Sequence, residues 1–295
     1  MASFLHYHSL VSAVLALIMV TAVADFQASP WSPAHATFYG DSSGVSDDMG
    51  GACGYTNMYG IGFGTRTAAL STPLFNNGLG CGGCYEIRCY GSQYCIPGAP
   101  SVVVTGTNLC PPNWAQDSNN GGWCNPPRVH FDMAMPSWLT FGRYEGGIVP
   151  VMYRRVPCQR TGGVKFMFSG NTYWLLITLL NVAGPGDVSA VSVKGDNTDW
   201  IPMSQNWGVM WQAFSNLGGQ VLSFQISAGS SADTIICNNV ADSYWGIGMT
   251  YQAENNFNAV PVGNSGGSYG DDGGNNGGIR ICCCATNGVA HVRAV

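Results

Sequence analysis

Charge is what this chain has least of. Only 9% of its 295 residues are charged, and the eleven basic side chains are scattered through a sequence of net charge −5. No basic run tracks a phosphate backbone, which excludes nucleic acid as a partner class. The same poverty of charge excludes a solvating, disordered chain, and 41 glycines exclude a helical bundle. Long apolar runs are also lacking beyond the N-terminus: Tyr173 to Val182 has the length of a strand and cannot cross a bilayer. Carboxylates are few in the first half, where Asp41, Asp47, Asp48, Glu86, Asp117, Asp132 and Glu145 are the candidates for acid–base work. What remains is a β-rich chain of short strands and turns, long enough for one large domain or two ordinary ones.

The one long apolar stretch, Leu10 to Val20, is followed by Ala22-Val23-Ala24, an A-x-A-like cleavage site ahead of Asp25. Residues 1–24 therefore read as a secretory signal; the stretch is short for a membrane anchor and has no basic stop-transfer flank. Secretion changes the meaning of the cysteines. Inside a cell Cys81-x-x-Cys84 would suggest zinc or redox chemistry, whereas outside it the eight cysteines from Cys53 to Cys158 read as a disulfide framework. Cys237 stands alone, and Cys282-Cys283-Cys284, adjacent and without a nearby partner, offer poor zinc geometry. No metal and no cofactor is expected.

The cysteines of the first half stop at Cys158, and residues 159–163 read as a linker. Residues 25–158 form a β-rich domain with long loops. Residues 164–257 carry apolar runs at roughly ten-residue spacing, as in a β-sandwich. From 258 to 295 the pattern dissolves into Gly, Asn, Ser and Asp, a composition of disorder.

Chemistry centres on His130-Phe131-Asp132. Glycosidic hydrolysis needs two carboxylates within ~5–10 Å, one of them raised in pKa. Asp132, flanked by Phe131 and Met133, could be the raised acid, with Asp41 and Asp48 as candidate partners. The competing readings are a structural Asp bonded to a loop backbone and a structural, buried His130. The second half offers Tyr173, Trp174, Trp200, Trp207, Trp211 and Trp245. Aromatic faces stack on pyranose rings, and although most tryptophans in a sandwich belong to its core, this many implies that some lie on a surface.

The ordered set Ala36-Thr37-Phe38-Tyr39-Gly40, Gly50-Gly51-Ala52-Cys53-Gly54-Tyr55, Cys81-Gly82-Gly83-Cys84, Gly122-Trp123-Cys124-Asn125-Pro126-Pro127, His130-Phe131-Asp132, Tyr153-Arg154-Arg155-Val156-Pro157-Cys158, Gly186-Asp187-Val188 and Asn206-Trp207-Gly208 closely resembles the expansins, specifically the plant α class. The resemblance runs from about His35 to Phe257. It implies an all-β fold, a six-stranded double-psi β-barrel followed by an immunoglobulin-like β-sandwich, with an open groove across both. It implies a secreted, monomeric protein of the plant cell wall, not an enzyme, that loosens contacts between cellulose and xyloglucan-type matrix glycans, with room for peripheral membrane association during secretion. Thr37, Tyr39, Asp48, His130 and Asp132 then line a polysaccharide groove, and Tyr173, Trp174 and Trp207 a planar cellulose-binding face. The implied disulfides are Cys53–Cys81, Cys84–Cys158 and Cys89–Cys95, with Cys110–Cys124 as the α-specific one.

The barrel is similar to that of glycoside hydrolase family 45 endoglucanases, with Asp132 in the position of their general acid. Three departures stand out. Asp41 occupies the position of the endoglucanase base (Thr-x-Tyr-x-Asp), Asp48 matches the β class, and 258–295 has no counterpart. Two other functions therefore stay in view: a weak endoglucanase using Asp132 and Asp41, and a pure cellulose-binding module with the barrel as spacer.

Overall fold

A computed structural model describes residues 26–43 and 50–261. Residues 1–24, read as a signal from the sequence, Asp47, Asp48, the Cys282–Cys284 triplet and nearly all of the 258–295 tail lie outside them.

Six strands close into a barrel: β1 (Ser32–Tyr39), β2 (Thr67–Leu70), β3 (Cys84–Cys89), β4 (Val102–Leu109), β5 (His130–Ala134) and β6 (Val149–Val156), in the order β1-β5-β2-β4-β3-β6. β1 runs parallel to β5 and β2 parallel to β4; the other neighbours are antiparallel. Closure removes free sheet edges. Alternation sets the two faces: Ala36, Leu70, Ile87, Val104, Phe131, Met133, Val149 and Val151 point into the barrel and are almost wholly buried. The four disulfides are those the resemblance implies, and all join barrel segments.

The second half forms β7 (Lys165–Asn171), β8 (Trp174–Leu180), β9 (Val188–Lys194), β10 (Ile201–Trp207), β11 (Met210–Ala213), β12 (Leu222–Ala228), β13 (Thr234–Ala241) and β14 (Thr250–Gln252). β10 belongs to two layers. Ile201–Met203 pair with β9, and Ser204–Trp207 pair with β11, so the strand carries the chain from the β13-β12-β9 layer to the β11-β8-β7-β14 layer. Between the layers Phe166 stacks on Phe224 with ring centroids 4.5 Å apart. β12 shows the strict alternation of a half-buried strand, with Leu222, Phe224, Ile226 and Ala228 inward.

β8 breaks that rule: six of its seven residues are buried, because both of its faces are covered. Leu175, Ile177 and Leu179 enter the sandwich core, while Leu180 joins the apolar core of the barrel. The two halves are thus packed together. Val209 N–H donates to Cys53 O (3.0 Å), and Arg155 of β6 pairs with Asp187 just before β9 (3.2 Å). The segment expected to be a linker is pinned: Asn181 donates to the carbonyls of Thr161 and Gly163 (2.9 Å each), and Asn256 to that of Gly162.

Candidate polysaccharide track

Register, more than sequence proximity, assembles the site. Thr37 on β1 pairs with Asp132 on β5, Asp132 with Ala69 on β2, and Ala69 with Asn108 on β4. Residues opposite one another share a face, and Ala36, Phe131 and Leu70 occupy the inward one. Thr37, Asp132, Ala69 and Asn108 therefore form an outward row across four strands, about 14 Å long at ~4.8 Å per strand. Tyr39 and His130, each two residues along from a member of the row, lie on the same face.

Within the row the protons can be placed. The Thr37 hydroxyl donates to Asp132 Oδ1 (2.7 Å), which uses its single hydrogen. Toward His130 Nε2, 2.8 Å away, Thr37 is then an acceptor, so Nε2 carries the imidazole proton. His130 Nδ1 is left bare, in keeping with its being a buried atom without a hydrogen-bond partner. The ring has no exposed surface. Burial, with smaller contributions from His35 and Arg128, drives its pKa down to about 3, so it stays neutral. Burial raises the Asp132 pKa, and the Thr37 hydrogen bond pulls it partly back. Thus Asp132 is an oriented acceptor at the bottom of the row.

Asp41 lies beyond the end of β1 and is exposed; its Oδ1 accepts the Ser43 backbone N–H (2.8 Å) and the Ser43 hydroxyl. The carboxylate holds its own turn together. Among the described residues no three His, Cys, Asp or Glu side chains converge as metal ligands.

From Asn108 the contacts continue to the sandwich. Asn108 Oδ1 accepts Ala52 N–H (2.6 Å), and Ala52 O accepts the indole N–H of Trp207. The turn after Trp207 needs Gly208: its φ is +51°, and a Cβ there would meet Cys53 O at 2.2 Å. On the outer face of the β11-β8-β7-β14 layer, Gln212 Oε1 accepts both Trp174 Nε1–H (3.1 Å) and the Asn206 amide (3.0 Å). Trp174 in turn lies nearly parallel to Phe214, 6.4 Å between centroids and 15° between planes. Trp207 and Phe214 are 47% and 73% exposed, so this aromatic face is open to a ligand.

Tyr173, 68% exposed, is at the β7–β8 turn, held by Asn171 Oδ1. Trp211 and Trp245 are core residues and Trp200 is half-buried. Sequence reasoning missed Asn108, Gln212 and Phe214. Asn108 and Gln212 carry no signal in a sequence; Phe214, among the aromatics around Trp207 and Trp211, could have been found by asking which of them follow the outward parity of β11.

Comparison with known proteins bears out this architecture. Residues 67–153 match a family model described as lytic transglycolase, and residues 164–241 the expansin C-terminal domain. Expansin-A7 of Arabidopsis thaliana is 53% identical over 255 residues, 86% of this chain and 97% of its own. The chain belongs to the expansins. Expansin-A17 of Oryza sativa subsp. japonica is also 53% identical, over 80% of this chain and 85% of its own. Among solved structures, an apo expansin of Clavibacter michiganensis matches the fold with a TM-score of 0.60 at 16% identity, covering 79% of this chain and all of its own. A mutant of that expansin, solved in complex with cellohexaose, gives 0.59 at 15% over the same 79% of this chain and all of its own. Expansin membership makes this a cell-wall-loosening protein.

Proposed function

We propose that this expansin, exported by the 1–24 segment to the plant cell wall, loosens it by gripping β-glucan along the track without cutting it. The division of labour is a barrel domain (25–158) that hydrogen-bonds sugar hydroxyls through Thr37, Tyr39, Asp48 and Asp132, oriented by His130, and a sandwich domain (164–257) whose Trp174, Trp207 and Tyr173 stack on cellulose. Wall polymers adhere through many weak contacts of ~1 kcal/mol each. A protein that binds the separated chain better than the packed one shifts that equilibrium by its differential affinity and needs no covalent step. Xyloglucan-type matrix glycans are the second polymer in this reading, the protein acts as a monomer, and any membrane contact is peripheral and confined to secretion.

The hydrogen bonding of the two carboxylates carries the proposal. Asp132 is fixed as an acceptor by Thr37, while Asp41, in the sequence position of the endoglucanase base, is engaged by Ser43. A cellohexaose complex of the Clavibacter expansin supports the choice of a glucan. The test pairs creep of heat-killed walls under load with reducing-end release from soluble glucan. Extension without release is expected, and Asp132→Ala should abolish extension. Reducing ends from the parent that disappear in Asp41→Asn would establish the endoglucanase instead. Full extension by Asp132→Ala would leave the barrel as a spacer.

A further inference from the structure

One exposed tryptophan has no part in the track. Trp114 is 72% exposed, in the 110–129 loop between β4 and β5. This loop leaves β4 at Cys110, whose N–H donates to Leu70 O, and joins β5 at His130, whose carbonyl accepts Ser71 N–H, so its feet stand on either side of the end of β2, one to two residues beyond Ala69. Four residues from Cys110, Trp114 is within about 14 Å of that foot.

The loop is rigidly built. Cys110–Cys124 staples its base. Asn125, 4% exposed, spends its whole side chain on the turn that carries Trp114: its Oδ1 accepts Asn113 N–H (2.7 Å), and its Nδ2 donates to Asn113 O (3.0 Å) and Gln116 O (2.9 Å). The Asn113 side chain closes the turn from within, accepting Ala115 N–H (3.2 Å) and donating to Gln116 Oε1 (3.1 Å). The other limb is fastened by Arg128, which lies over the Trp123 ring (5.7 Å) and donates to Asn119 Oδ1. A disulfide and a buried, fully satisfied amide thus hold in place a turn whose largest side chain contributes almost nothing to the core. A rigid, solvent-facing indole presents a large apolar area at low entropy cost, which is what a pyranose face requires.

We propose that Trp114 is a sugar-stacking platform at the barrel end of the track, giving the barrel an aromatic anchor for a β-linked glycan as Trp174 and Trp207 give the sandwich one. The inference rests on the glucan-binding reading above and extends it to a residue outside the row. The probe is regenerated amorphous cellulose, with cellohexaose as soluble competitor, titrated with the full chain and with Trp114→Ala, Trp114→Tyr and Trp174→Ala. Trp114→Ala should weaken binding by roughly five- to tenfold with no change in melting temperature, while Trp114→Tyr stays within about twofold of the parent. If Trp114→Ala binds like the parent while Trp174→Ala is weakened, the inference falls and the glucan reading stands. If neither is weakened, both fall. A loss in Trp114→Ala that comes with a lower melting temperature also overturns it, because the indole would then be packing the loop.

Discussion

His130 should make the folded state sensitive to acid in a way that one substitution removes. In the unfolded chain its ring takes a proton near pH 6.5; in the fold, buried with Nε2–H committed to Thr37, it does not do so until about pH 3. Below pH 6.5 the unfolded state therefore binds the extra proton, and stability falls as pH falls. Linkage between those two values gives a loss of about 2.5 kcal/mol from pH 7 to pH 4.5, approaching ~1.4 kcal/mol per pH unit at the acid end. Asp132 acts with the opposite sign: its raised pKa makes its contribution fall as pH rises above the ordinary carboxylate value. His130→Gln keeps a donor for Thr37 and removes the titration, and Asp132 is common to both proteins. Urea unfolding followed by tryptophan fluorescence at half-unit steps from pH 7 to 4.5 gives the comparison. The parent should lose about 2.5 kcal/mol more than His130→Gln. Parallel curves for the two would refute the placement of the proton on a neutral, buried ring.

The two ion pairs found among the described residues should differ in what their loss costs. Asp187 is buried and accepts from both Arg155 (3.2 Å) and the Ser230 hydroxyl (2.7 Å), so Asp187→Ala should cost about 2–3 kcal/mol, whereas Glu86→Ala, which breaks the pair with Arg154 (2.7 Å) between two half-buried side chains, should cost about 1 kcal/mol or less; equal losses in urea unfolding would contradict this ranking. Gly208→Ala puts a methyl against Cys53 O at a positive φ and should lower stability by more than ~1 kcal/mol, together with cellulose affinity, since Trp207 precedes the strained turn; an unchanged melting temperature would show that the joint has room.

The parts of this molecule that were legible in its sequence are those where one strand decides the outcome. β12 alternates because one face is buried, and the run from Trp174 to Leu180 reads as a strand by length alone. The cysteine spacing marked a disulfide framework, though only family resemblance supplied the pairing. The track was not legible beyond its family-matched residues, because its members meet through barrel closure: Thr37 and Asp132 bond across 95 residues of chain, and Asn108 joins them only by way of β2. The tryptophans show the same limit most plainly. Trp207 and Trp211 are four residues apart, an even spacing that in one strand would put them on one face. The chain reverses between them at Gly208–Val209, and the register shifts between Gln205 and Trp207, so that Trp207 pairs with Met210 while Trp211 pairs with Gln205. Since a slip of one residue exchanges the two faces of a strand, that turn and that bulge send Trp211 into the core and leave Trp207 47% exposed beside the barrel. The exposed aromatic face is therefore fixed by a backbone irregularity between Gln205 and Met210, and a sequence pattern of period two cannot register it.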